Sequence, residues 1–278
     1  MLILSRAWKR AILFAPLLCT FLVAGCSRQK LADFLFAKKH PPTKERSGPP
    51  RRVSVGHGGC PCLAIVLDDL GSDPAAADEI FALAYPLTIS VLPHHPHSTE
   101  IAEQAHSRGY QVMLHLPMQS VANETPEVEE IRTGMSSAEI SGELRGMLQS
   151  VPHVVGVNNH QGSLATSDQN LMRALMPLLR AHQLFFVDSR TTAATVAFDA
   201  AEHAGVRSGF RNVPFLDDVQ DTTKIRKQLE LAIRGAKEKD EAIAIGHAHA
   251  ATLRALRELL PQVEAQGVHL VYVSDLVH

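Results

Sequence analysis

Leu63-Ala64-Ile65-Val66-Leu67 runs without a break into Asp68-Asp69-Leu70-Gly71. Five consecutive apolar residues fit a strand buried on both faces, and such strands belong to parallel sheets covered by helices. Four further runs repeat the form. Val112-Met113-Leu114 ends in His115, and Val154-Val155-Gly156-Val157 ends in Asn158-Asn159-His160. Leu184-Phe185-Phe186-Val187 ends in Asp188-Ser189-Arg190, and Ala242-Ile243-Ala244-Ile245-Gly246 ends in His247. One polar strand end is ordinary; five in series bring several strand ends to one polar site, as a β/α barrel does.

The segments between these runs read as helices. Ser72-Asp73-Pro74 opens one that runs to about Ala84, with proline in the first turn, and Ser98 opens another that Gly109 closes. Ser136-Ser137-Ala138-Glu139 and Thr166-Ser167-Asp168-Gln169 read as capping boxes for helices to about Ser150 and His182. A helix near Thr195 to Ala204, a weak strand near Val206 to Phe210 and long helices from about Asp221 and Ala251 complete the alternation. Counting Thr88 to Leu92 and Val268 to Val273, the chain offers about seven or eight strand–helix units. The expectation is an α/β fold, a parallel barrel rather than an open sheet, over residues 62–278.

With 278 residues, 45% hydrophobic and 20% charged, the chain is long enough for a substantial core. Aromatics are 5% and the net charge is −2, which argues against a nucleic-acid partner. The charge is unevenly spread. Arg6, Lys9 and Arg10 precede an apolar stretch from Ala11 to Val23 and then Ala24-Gly25-Cys26, the layout of a secretory signal over residues 1–25. The stretch is short for a membrane span, which needs about 20 apolar residues. Val23-Ala24-Gly25-Cys26 resembles a bacterial lipobox, which makes Cys26 the expected lipidation site and the membrane, reached through a lipid anchor, an expected partner. Residues 26–61 read as a basic, proline-rich tether, with Lys38-Lys39-His40-Pro41-Pro42 and Pro49-Pro50-Arg51-Arg52. The remainder, residues 53–278, carries 16 basic and 27 acidic side chains, an acidic domain on a basic leash. The expected location is the periplasmic side of the cell envelope.

Beyond Cys62 the chain has no cysteine, so any metal there is held by nitrogen and oxygen. Cys60 and Cys62 flank Pro61, too close for an unstrained bridge. The Asp68-Asp69 pair carries the first chemical reading. Two like charges so close raise one pKa unless a cation lies between them, and a metal bound by one leaves the other as a base. Alternatively, one of the pair caps the next helix. His115 and His160 follow neighbouring strands, and two imidazoles with one carboxylate form a recurrent catalytic zinc set with an open position. His115 also fits a satisfied core residue. His160 sits in Asn158-Asn159-His160-Gln161-Gly162-Ser163, a run with little packing value. His247 follows the penultimate strand, where a general acid could stand. His94, His95 and His97, set around Pro93 and Pro96, read as a site-rim loop.

Together Ile65-Val66-Leu67-Asp68-Asp69-Leu70-Gly71, Leu114-His115-Leu116-Pro117-Met118, Gly156-Val157-Asn158-Asn159-His160-Gln161-Gly162-Ser163, Phe186-Val187-Asp188-Ser189-Arg190-Thr191 and Ile245-Gly246-His247 resemble the motif series of the divergent polysaccharide deacetylases. These are an envelope branch of the NodB-type carbohydrate esterase superfamily. The resemblance, over about residues 62–278, implies a deformed (β/α) barrel and metal-dependent removal of N-acetyl groups from a glycan. It implies Asp68 as base, Asp69 as metal ligand and His247 as acid. The superfamily's second motif histidine, four residues after the first, would fall at Gln119, so His160 becomes the replacement ligand beside His115. Asp188 and Arg190 are expected to orient His247 or Asp68. Asn158, Asn159, Gln119 and His94 are expected to contact the glycan, and the metal is expected to be divalent, zinc first.

Overall fold

The computed structural model describes residue 50 and residues 61–122 and 127–278. The signal segment and Cys26, and the tether apart from Pro50 and Pro61, lie outside the described residues. Eight parallel strands alternate with helices: β1 (Cys62–Leu70), α1 (Pro74–Phe81), β2 (Thr88–Val91), α2 (Ser98–Ser107), β3 (Gln111–Met118), α3 (Ser137–Ser150), β4 (Val154–Gln161), α4 (Gln169–Ala181), β5 (Phe185–Asp188), α5 (Ala197–His203), β6 (Ser208–Phe210), α6 (Thr222–Lys239), β7 (Glu241–His247), α7 (Ala250–Val263) and β8 (His269–Val271). The sheet order is β6-β5-β4-β3-β2-β1-β7, with β8 paired to the start of β1. Since β7 runs along one edge of β1 and β2 pairs only from Val66 onward, β8 fills the remaining edge beneath β2. The sheet curls into a deformed barrel that strand pairing does not close. Between β6 and β7, the backbone N–H groups of Asn212 and Leu216 donate to the carbonyls of Ile243 and Ile245 instead.

Most helix starts agree with the sequence. Asp73 caps α1, and Ser136 with Glu139 forms the reciprocal box at α3. At α4 the cap is Asp168, which accepts from the amides of Asn170 and Leu171. The Thr166 hydroxyl, expected to cap, bonds back to the Gly162 carbonyl. Residues 165–167 form a 3₁₀ turn, which moves the cap two residues along.

Alternation along the strands places the site. One apolar cluster, including Leu63, Ile65, Leu67, Leu114, Val157 and Phe186, packs under the helices. A second fills the barrel interior with Cys62, Ala64, Val66, Met113, Phe185, Val187, Ile243 and Ile245. Advancing each interior stripe by two residues gives Asp68, His115, Ser189 and His247, so the interior stripe ends in polar groups at the carboxyl end of the barrel. In β4 the same parity is held by Gly156, Asn158 and His160. A Cβ on Gly156 would lie 2.2 Å from the Phe185 ring, so only glycine lets that ring fill the barrel floor.

Candidate active site

Asp68 continues the inward stripe of β1, and Asp69 by alternation should face the helices. The β1–β2 register shifts between Leu67 and Leu70, and Asp69 adopts a positive φ of 61°. This local bulge, tolerable for aspartate, turns the second carboxylate inward beside the first. Both carboxylates therefore reach one pocket.

Asp69 Oδ1 lies 3.1 Å from His115 Nε2 and 3.0 Å from His160 Nδ1, and the two ring nitrogens are 3.2 Å apart. Donor atoms about 2.0–2.1 Å from a tetrahedral ion stand about 3.3–3.4 Å from one another, so this triangle fits a metal with little adjustment. Strand pairing sets it: His115 lies opposite Asn158, and Pro117 opposite His160.

Proton positions follow from Asn158. Its Nδ2 donates to both oxygens of Asp68, at 3.0 and 3.1 Å, and to Ser189 Oγ. The amide oxygen is left to accept from Ser90 Oγ at 2.5 Å and His115 Nδ1 at 3.1 Å. Burial lowers the His115 pKa, but the charges of Asp68 and Asp69 and its hydrogen bonds to Asp69 and Asn158 raise it above the usual value. Without an ion the imidazole therefore keeps protons on both nitrogens. An ion taking the place of the Nε2 proton would leave His115 neutral, with its proton on Nδ1 toward Asn158 and its Nε2 lone pair toward Asp69 and His160. Three electron-pair donors facing one another repel unless a proton or a cation lies between them. This donor set suits a divalent cation.

The paired carboxylates are driven apart. Burial pushes the Asp68 carboxyl above the usual range, against the pull of His115 and His247. Burial also works to raise Asp69, but hydrogen bonds and positive charge from His115 and His160 outweigh it and hold that carboxyl well below the usual range. One carboxylate is suited to exchange a proton and its neighbour to stay an anion.

His247 stands on the other side, its Nε2 3.7 Å from Asp69 Oδ2. Its Nδ1 is 2.9 Å from Asp217 Oδ1, and its backbone N–H donates to Asp217 Oδ2 at 2.7 Å. Burial lowers the His247 pKa, but the Asp217 hydrogen bond and the charges of Asp68, Asp217 and Asp69 overcome it and push it up to about 9. Asp217, His247 and His249 also lie close enough to be considered for a metal. The Thr252 hydroxyl and two His247 N–H groups already engage both oxygens of the buried Asp217 carboxylate. That pattern is an aspartate–histidine dyad rather than a second ion site.

Several expected roles are relocated. Asp188 was expected to orient His247 or Asp68, but it lies on the outer stripe with Phe186, and its side chain accepts from Thr195 Oγ1 and the Arg190 amide. Arg190 is exposed and lays its guanidinium over Phe210 at 3.5 Å. Asn158 and Asn159, expected on the glycan, are buried; Asn159 accepts from the Ser189 amide and donates to the Gln161 carbonyl. Gln119 Oε1 accepts from the amide and hydroxyl of Thr133, tying down the loop that leaves β3. His94 stays at the rim, 2.9 Å from Glu129.

Asp217 was missed because it sits on an irregular loop between β6 and α6. The signal was nevertheless present, since Phe215-Leu216-Asp217-Asp218 is a sixth apolar run ending in carboxylates. Gly246 makes room for that loop: a Cβ there would meet Leu216 at 3.2 Å.

A family profile described as "Divergent polysaccharide deacetylase" matches residues 65–277. The chain is 39% identical over 216 residues to the Escherichia coli K12 protein named "Uncharacterized protein YibQ", covering 78% of this chain and 67% of that one. Among solved structures, an uncharacterized protein of Agrobacterium tumefaciens C58 superposes with a TM-score of 0.76 at 19% identity, over 80% of this chain and 92% of the other. A Bacillus anthracis protein described as a CE4 family pseudoenzyme gives 0.53 at 12%, over 82% and 69%. A mutant of it is described as having restored enzymatic activity. At such identities these two likenesses speak for the fold, a NodB-like half-barrel. On the profile match and the identity to its E. coli relative, the chain belongs to the divergent polysaccharide deacetylase family.

Proposed function

We propose that this protein is a metal-dependent hydrolase that removes N-acetyl groups from amino sugars of an envelope polysaccharide or of peptidoglycan. The observation that carries the reading is the Asp69–His115–His160 triangle, flanked by a buried carboxylate with a raised pKa on one side and an aspartate-held imidazole on the other. The three residues would hold a divalent ion, zinc by their nitrogen and oxygen donors. Held there, such an ion would supply polarisation of the acetamide carbonyl and a lowered pKa for a nearby water. Asp68 takes the proton of the attacking water, and its raised pKa makes its carboxylate the stronger base for that step. His247, protonated through its dyad with Asp217, gives a proton to the departing amine. Asn158 holds the base and, through His115 Nδ1, the metal-facing tautomer.

The test is metal content together with acetate release from N-acetylated oligosaccharides, for the wild type and Asp69→Ala. About one ion per chain and acetate release, both lost in the variant, is the expected result; a variant that keeps both defeats the reading. A second reading, a non-catalytic glycan-binding or scaffolding module, draws support from Gln119, which stands at the motif histidine's place and is committed to Thr133. A metal-loaded protein that binds the glycan without releasing acetate favours that module.

The envelope location is part of the proposal. It rests on the signal pattern and Cys26, and Cys26→Ser should release the protein from the membrane fraction.

A further inference from the structure

We infer that Glu127 is a positioning residue for His160, forming the outer link of a carboxylate–imidazole–metal chain. The inference rests on the metal reading above and adds a residue that lies outside the family motifs and the triangle. His160 turns Nδ1 toward Asp69 and His115, so its other nitrogen, Nε2, carries the proton once Nδ1 is a ligand. That N–H needs an acceptor in a half-buried setting. The Gln161 side-chain nitrogen, 3.4 Å away, donates to Nε2 only while that atom is unprotonated, so once Nε2 carries the proton the near acceptor is Glu127 Oε1 at 3.8 Å.

Glu127 is not an idle surface carboxylate. Its Oε2 is 3.3 Å from His95 Nε2, and His95 Nδ1 is 2.6 Å from Ser72 Oγ. The Ser98 hydroxyl accepts from the His95 amide at 3.0 Å, so the brace is anchored at the start of α2. Ser72, His95 and Glu127 thus form a line that ends on the outer edge of His160. A carboxylate there fixes the tautomer and ring angle of a ligating imidazole and increases its basicity. Closing less than an ångström would turn the contact into a charge-assisted hydrogen bond.

The experiment is zinc affinity, measured on the full chain by competition with a chromophoric chelator, for the wild type, Glu127→Ala and His95→Ala. Glu127→Ala should keep one zinc per chain but bind it roughly 10–100-fold more weakly. His95→Ala, which leaves the carboxylate but removes its brace, should lose a smaller factor. A downfield imidazole N–H proton resonance should accompany zinc in the wild type and disappear in Glu127→Ala. Thermal stability of the metal-free variants should match the metal-free wild type, which separates this role from a structural one. Unchanged zinc affinity in Glu127→Ala beside a zinc-binding wild type overturns the inference alone. A wild type that binds no zinc overturns the metal reading and this inference with it.

Discussion

From β1 to β4 each strand is hydrogen-bonded to its neighbour, whereas the gap between β6 and β7 is bridged by a loop. The triangle belongs to the first region, where pairing of His115 with Asn158 and of Pro117 with His160 fixes the candidate ligands through the backbone. His247 borders the second, and its orientation depends on Asp217, which reaches across the gap from the loop. Arg211 staples the same loop, donating to the carbonyls of Ser189, Arg190 and Val213 while its guanidinium lies over Phe215 at 3.9 Å. The strand-held positions are fixed by many backbone bonds, which no single side-chain substitution removes. A loop-held group has few substitutes, so metal binding and proton delivery should fail independently.

The largest expected effect is in the strand-held half. His160→Ala should remove stoichiometric metal and with it acetate release, read by elemental analysis and product assay; retained metal would show that the pairing of β3 with β4 does not build the site.

Next comes the loop-held half. Asp217→Asn should lower kcat by about 10²–10⁴-fold, the usual worth of a positioned acid, while metal content stays at the wild-type value. A matching loss of metal would erase the distinction between the two regions. The same variant sharpens it through pH. If His247 is the acid, as proposed, it must be protonated, so wild-type activity should fall as pH rises through about 9, and in Asp217→Asn this alkaline limb should move toward the ordinary histidine value. Because the folded-state pKa is the higher one, the dyad's stabilisation is complete below about 6.5 and fades as pH rises through about 9. Thermal melts across that window check the sign.

Asn158→Ala acts within the strand-held half, since it strips a buried donor from Asp68 and an acceptor from His115. Leaving such groups unpaired costs about 1–3 kcal/mol, or a fall in Tm of roughly 2–12 °C for a domain of this size. The smallest effect is expected at Gln119. Gln119→Ala should cost about 1 kcal/mol in stability and leave zinc affinity unchanged, because its hydrogen bonds hold Thr133 and not the triangle. A large loss of metal in that variant would return Gln119 to the site.

Much of the fold was legible because apolar runs and capping residues are local signals: Asp73 at α1 and Ser136 with Glu139 at α3 cap where the chain suggested. The candidate ligands were legible too, through strand-end position. What misled was treating every polar residue at a strand end alike. Counting parity from the interior stripe would have set Asp188 and Asn159 aside, since Phe186 and Val157 before them face the helices. Parity would also have set Asp69 aside wrongly, because the bulge that turns it inward leaves no mark in the sequence beyond the doubled aspartate.

The sequence by itself determined the order of strands and helices, the acidic character of residues 53–278 and the supply of carboxylates and imidazoles at strand ends. Those properties depend on neighbours within a few residues. Only the tertiary structure decided which of those groups meet, since Asn158 joins Asp68 across 90 residues and Asp217 joins His247 across 30. Pairing of polar groups in a buried pocket is a matter of distance and desolvation, and both exist only once the sheet has curled.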